Sequence, residues 1–467
     1  MTRRLPILIV LALTWAALVA LACNLSGSPE PPTVAPRATS TPPPTIGYAT
    51  LSPAELPAEA ATQPPQVAAA APIEAELVNL VNLIEADRLM FHIDTLQNFG
   101  TRHVNSANHR SDWGIGAAHR YLVSQFEQIR AQSQGRLTVF SHPFTAEWAG
   151  VRTEGQNVVA FLTGTEAGAG TIVIGAHYDS ITINFDSADA LAPGANDNAS
   201  GVAALLELAR VLSLRPHRAS IMFVAFAAEE VGRQGSIAFV KEYLAPRQID
   251  ITAMLNLDII GSQFGPGGRV DDRNLRLFSA GPNDGSPSRH LARTLNLIAF
   301  NHVPYMNLVT QDIVDREGRY GDHMSFSDAG YAAVRFTQPL DDPARNHNDR
   351  DTIDGIQAGY LARVTKTVLT LVTALADGPR PPRGIALRDS GTGLRTLVWE
   401  PIADASGYVV ALRRPGALDY EQFEVNDPSI TSITWDGFVP ERFTGLAIAA
   451  RDARGLMGPL SDEFKIR

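Results

Sequence analysis

T-I-V-I-G-A-H-Y-D-S, residues 171–180, is an apolar run with a polar tip: Ile172 to Ala176 are followed by His177 and Asp179. Residues 193–201, P-G-A-N-D-N-A-S-G, then feed a helical segment, V-A-A-L-L-E-L-A-R-V-L. A second apolar strand, S-I-M-F-V-A-F-A-A, ends in Glu229–Glu230 and the turn V-G-R-Q-G-S, residues 231–236. A histidine and several carboxylates thus stand just past strand ends in a strand–helix–strand pattern, the place where open α/β sheets put their sites.

Outward from this stretch the alternation continues. Helices are expected around Ile73 to Ile84, from Asp87 to Phe99 and over Trp113 to Ile129, with strands over Leu137 to Phe144 and Asn157 to Leu162. Downstream, T-A-M-L-N-L-D-I-I-G carries Asp258, Leu275 to Ala280 is a strand, and Ser286-Pro287 starts a helix. Y-G-D-H-M-S-F-S-D-A-G leads into the strand A-A-V-R-F, and N-H-N-D-R-D-T-I-D precedes a long helix from Gly355 to Ala376. The fold class read from this pattern is α/β: a mostly parallel mixed sheet flanked by helices. The glycine-rich residues 261–272 read as a loop near the site mouth, and His103, His109, His119 and His142 as surface or turn residues.

Beyond Pro379-Arg380-Pro381-Pro382 the pattern becomes short alternating strands, which implies an all-β sandwich with Trp399 in its core. W-E-P-I-A-D-A-S-G-Y-V-V and I-A-A-R-D-A-R-G resemble a fibronectin type III domain. The expected division is a signal segment 1–23, a Pro/Thr/Ala-rich disordered linker 24–72, a catalytic domain 73–378 and the sandwich 379–467. Met1-Thr2-Arg3-Arg4 and the apolar run to Ala22 form a secretory signal, and V-A-L-A-C resembles a bacterial lipobox with lipid on Cys23. The alternative is an uncleaved N-terminal membrane helix. Either way the expectation is an extracytoplasmic, membrane-anchored protein. Cys23 is the single cysteine, so no disulfide forms within the chain. A formal charge of −10 argues against nucleic acid as a partner.

Zinc in a hydrolytic site takes about three imidazole or carboxylate ligands plus an open position, and two ions about 3.5–4 Å apart need a bridging ligand. The strand ends offer His177, Asp179, Asp197, Glu229, Glu230, Asp258, Asp322, His323 and His347. Singly, each has a plainer reading: Asp197 as a helix cap, the glutamate pair as an acidic helix start, Asp258 as a buried acceptor, His347 as a loop residue.

Together, H-Y-D-S, A-N-D-N-A-S-G, A-E-E-V-G-R-Q-G-S, N-L-D-I-I-G, G-D-H-M-S-F and H-N-D-R-D-T-I-D resemble, in order, the co-catalytic zinc aminopeptidases of clan MH, such as bacterial leucyl aminopeptidase and yeast aminopeptidase Y. The resemblance implies two Zn²⁺ per chain, the first on His177 and Asp258, the second on Glu230 and His347, with Asp197 bridging. It also implies Glu229 as general base and Asp179 as acceptor of the spare N–H of His177. Asp322 and His323, preceded by Gly321 where the family usually has serine, would stand behind the ligands or touch substrate, or else belong to a structural loop. The implied activity is hydrolysis of the first peptide bond of a peptide or protein N-terminus. The same scaffold also admits a glutaminyl-cyclase-like acyltransferase, a carboxypeptidase, or an inactive binding module. The partner of the C-terminal sandwich is not readable.

Overall fold

The computed structural model describes residues 75–279, 285–311, 321–390 and 393–467. The signal segment, Cys23 and the linker 24–72 lie outside the described residues. Among those described, no helix is long and apolar enough to cross a membrane.

Eight strands form one sheet: β1 (Leu137–Trp148), β2 (Val151–Leu162), β3 (Thr171–His177), β4 (Ser220–Phe226), β5 (Ile251–Leu257), β6 (Asn274–Phe278), β7 (Asn307–Gln311) and β8 (Ala333–Thr337). Their order is β1-β2-β4-β3-β5-β8-β6-β7. β3 runs parallel to both β4 and β5, and β8 runs parallel to β5, while β1–β2, β2–β4 and β6–β8 are antiparallel. Every residue of β3 is buried, as expected for a central strand covered on both faces. Gly175 is required there, because a Cβ would lie 2.6 Å from the Phe226 ring and 2.9 Å from Met254.

The flanking helices are α1 (Ala75–Asn82), α2 (Ala86–Gln97), α3 (Ile115–Gln132), α4 (Ser200–Leu212), α5 (Pro287–His302) and α6 (Ala358–Asp377). α4 buries nearly all of its residues, Glu207 included, and Glu207 is satisfied by Arg210, Arg88 and the Glu85 amide. Ser286 caps α5 by accepting the Arg289 N–H, with Pro287 in the first turn. α2 differs from expectation: Glu85 occupies its cap position and Asp87 falls in the first turn. β1 and β2 are longer than their apolar cores because they pair as a hairpin over their whole length. β7 and the small hairpin Phe264–Gly265 with Arg269–Val270 carry too few apolar residues to be read as strands; pairing defines them.

After β3 the chain passes through α4 to β4 on one side, then crosses to β5 on the other. That reversal leaves a crevice beyond the carboxyl ends of β3, β4 and β5. His177, Asp179, Asp197, Glu229, Glu230 and Asp258 come from these ends or from the connection between β3 and α4, whereas Asp322, His323 and His347 come later in the chain.

The C-terminal residues form two antiparallel sheets. One comprises Ala386–Asp389, Arg395–Val398 and Ser432–Trp435; the other comprises Glu421–Val425, Ala405–Arg413, Gly445–Asp452 and Phe464–Lys465. Trp399, Tyr408, Trp435 and Leu446 lie in their common core. This unit is bonded to α5 and β7. Arg293 donates to the Leu418 carbonyl at 2.7 Å, the Met457 N–H to His302 Nε2 at 3.1 Å, and Thr310 Oγ1 to Asp419 at 2.8 Å.

Candidate metal centre

β3 delivers His177 to the crevice floor. The next ligand position lies in the irregular turn Ala195–Ala199, ahead of the regular helix α4. Two asparagines flanking Asp197 tie this turn down. Asn198 Nδ2 donates to the Leu257 carbonyl at 2.8 Å and its Oδ1 accepts from Gly201 and Ile259; Asn196 bonds to Gln338 and to the Gly261 amide. Asp197 is therefore no helix cap; Ala199 holds the cap position and Asp197 is free to face inward.

Past β4, residues 227–233 turn sharply before the short helix Gln234–Ala238. The turn is held by Asp179, whose Oδ1 and Oδ2 accept the backbone N–H groups of Glu229 and Glu230, each at 3.1 Å. Asp179 also faces His177, the partner expected for it. His177 Nδ1 meets the Asp179 backbone carbonyl at 3.2 Å, with the carboxylate farther off at 3.6 Å. The same carboxylate presents the glutamate pair.

Asp197 divides its oxygens: Oδ1 lies 3.3 Å from His177 Nε2 and Oδ2 3.2 Å from His347 Nε2. Asp258 Oδ1 is 3.5 Å from His177 Nε2, and Glu230 Oε2 is 3.1 Å from His347 Nε2. Two clusters result, His177–Asp197–Asp258 and Asp197–Glu230–His347, each with ligand atoms within 4.8 Å of one another. Glu229 joins neither, although its Oε2 reaches 3.9 Å from His177 Nε2. The pair thus splits, Glu230 joining a cluster and Glu229 standing apart from both.

The donor set fits zinc. Glu230 Oε1 and Asp258 Oδ1 are buried and accept no hydrogen bond among the described residues, an expense that a bound cation removes. The electrostatics agree. Glu230, against the opposing effect of burial, and Asp197 together hold His347 protonated up to about 11. Burial opposes protonation of His177, but Glu229, Asp179, Asp197 and Asp258 outweigh it. Burial, aided by Asp322, Glu230 and Asp258, keeps the Glu229 carboxyl well above its usual range despite His177.

Asp322 and His323 are both buried but belong to neither cluster. Burial pushes Asp322 up to about 7 and His323 down to about 3. Gly321 answers to a close approach: a Cβ there would stand 2.8 Å from Asn256 Nδ2 and 2.9 Å from Asp258 Oδ2. Arg335 of β8 pairs with that same Oδ2 at 3.0 Å. Of the histidines read as surface or turn residues, His103 is buried yet opens a turn, its carbonyl accepting the Ser106 N–H, whereas His142 is buried within β1 and bonded to Asn157.

Arg102 and Asp351 were not singled out by sequence. Arg102 is fully buried and donates to the carbonyls of Tyr178, Leu96, Pro193 and Gly194, so it joins the loop after β3 to the turn bearing Asp197. Burial lowers its pKa to about 10, leaving it charged. Its only signal is an arginine after the glycine turn at Gly100. Arg102→Met strands these buried carbonyls, each costing about 1–3 kcal/mol, and is expected to lower unfolding free energy in urea by about 3 kcal/mol or more. A loss under about 1 kcal/mol would mean that the loops do not depend on it.

The profile of peptidase family M28 matches residues 157–372. A "Probable zinc metalloprotease" of Leptosphaeria maculans is 34% identical over 372 residues, spanning 72% of this chain and 86% of its own. The chain belongs to peptidase family M28. A "Probable zinc metalloprotease" of Pyricularia oryzae is likewise 34% identical, over 375 residues, covering 72% of this chain and 74% of that one. LapB from Legionella pneumophila superposes with a TM-score of 0.52 at 21% identity, over 65% of this chain and 76% of that chain. An aminopeptidase from Aneurinibacillus sp. gives 0.50 at 17% identity, over 64% and 96%. At such identities these two structures share the fold. As an M28 member with zinc metalloprotease relatives, the chain is a zinc metallopeptidase.

Proposed function

We propose that this M28 peptidase is an extracytoplasmic two-zinc aminopeptidase acting on peptide or protein N-termini. The observation that carries the two-ion reading is the divided carboxylate of Asp197, one oxygen toward each histidine. His177, Asp197 and Asp258 would hold one ion, and Asp197, Glu230 and His347 the other. When bound, the ions polarise the scissile carbonyl and lower the pKa of water.

The chain's own groups supply the rest. Glu229, raised by burial and free of both clusters, takes the proton of the attacking water and returns it to the leaving amine. Asp179 fixes that carboxylate by its grip on the Glu229 and Glu230 amides. The acidic groups Glu229, Glu230 and Asp322 give a free α-ammonium a favourable field. The pairing of a three-stranded with a four-stranded antiparallel sheet supports a fibronectin type III-like module at the C-terminus.

Aminoacyl-nitroanilides should be hydrolysed and their N-acetylated counterparts should not, with activity lost to a chelator and restored by zinc. Equal cleavage of blocked substrates would rule out an aminopeptidase. Placement outside the membrane rests on the residues up to Cys23. Labelled fatty acid should enter the wild-type protein and not Cys23→Ala; label in both would remove the lipoprotein reading.

A further inference from the structure

The two clusters depend on ligands far apart in sequence, and Asp351 is where they meet. It lies four positions after His347, in the same loop, and is buried. Its side chain points to the backbone of the other ligand segment: Oδ1 accepts the Asn196 N–H at 2.9 Å and Oδ2 the Asp197 N–H at 2.8 Å. Its own carbonyl accepts the Ala195 N–H at 3.0 Å. Three consecutive amides of the turn are thus satisfied by one residue of the His347 loop. That loop is anchored further by the Ile353 N–H on Gln97 Oε1 at 2.9 Å.

We propose that Asp351 is a positioning residue that sets Asp197 and His347 in register, so that the zinc set Asp197–Glu230–His347 forms. The proposal rests on the two-zinc reading. Asp351 touches no ligand atom; it acts through the backbone of residues 195–197. A carboxylate is needed because both of its oxygens accept. Asparagine offers one acceptor and turns an N–H₂ toward the other amide, and alanine offers none.

The test titrates zinc into the metal-free full chain in competition with a chromogenic chelator, for wild type, Asp351→Asn and Asp351→Ala. Groups supporting a ligand from behind are worth roughly 10–100-fold in metal affinity. Asparagine is therefore expected to weaken zinc binding about 10-fold and alanine about 100-fold, in that order. Loss of stability alone does not decide, since a loop clamp would also lose stability. Equal zinc constants in all three proteins would overturn the proposal, and if the alanine chain does not fold, asparagine decides by the same criterion.

Amide exchange of the metal-free wild type gives a second arm. The Asn196 and Asp197 amides should exchange as slowly as those of α4; exchange at the rate of an open loop would overturn the proposal. A wild type that itself binds fewer than two zinc ions would instead overturn the two-zinc reading beneath it.

Discussion

Glu229→Gln is expected to retain both zinc ions and to lower kcat by about 10²–10⁴-fold, the usual worth of a positioned general base. The residue is isosteric, its backbone N–H still bonds Asp179 Oδ1, and neither metal cluster includes it. What changes is proton affinity. The glutamate carboxyl is buried among Asp322, Glu230 and Asp258, which holds its proton affinity up where it can take and return a proton; the amide cannot. Zinc content by mass spectrometry beside steady-state kinetics separates the two contributions. Full kcat with full zinc would remove Glu229 as the base, whereas lost zinc would make it a ligand.

Asp197→Ala is expected to have the larger effect on the metals. Both clusters lose their shared ligand, so each is left with two donors in place of three. Zinc binding should weaken by more than about 100-fold at both positions, since loss of a ligand exceeds loss of its support. His347→Ala should differ: it breaks only the set with Glu230, and one ion should remain on His177, Asp197 and Asp258. Thermal unfolding offers an independent check. A chain that binds zinc when folded gains about 2.7 kcal/mol at a zinc concentration 100 times Kd. The wild-type unfolding temperature should therefore rise with zinc, while that of Asp197→Ala should not respond. A zinc response equal to wild type in Asp197→Ala would mean that the bridge is not at Asp197.

What the sequence made legible follows from the physics of each part. The central strands announce themselves because β3 and β4 are continuous apolar runs, and the residues after them are conspicuous as charges at the end of such runs. The six ordered blocks then carried the family. Contacts made by backbone amides are a different matter. Nothing in the spacing of Asp179 indicates that its carboxylate would serve the Glu229 and Glu230 amides as well as face His177. Arg102 and Asp351 are hidden for the same reason: apart from the Leu96 carbonyl, the partners of their side chains are main-chain groups 76 to 155 positions away, which have no sequence signature. His142 departs from a surface or turn reading because a polar residue can be buried once it finds a partner, and the partner is visible only in the fold. Gly321 departs from the family's serine in sequence, but its reason, proximity to Asp258 and Asn256, lies in the fold.

The centre is also more unified than its sequence suggests. His177, Asp197, Glu229, Glu230 and Asp258 gather around one crevice, but His347 arrives from beyond β8 and is secured through Asp351. The second ligand set thus draws on residues from both sides of β8 in the chain.

Anomalous diffraction at the zinc edge, from crystals of the zinc-loaded protein, tests the two-ion claim most directly. Two peaks are expected, one among His177, Asp197 and Asp258 and the other among Asp197, Glu230 and His347, about 3.5–4 Å apart. A single peak at full zinc saturation, or two peaks that do not share Asp197, would contradict it.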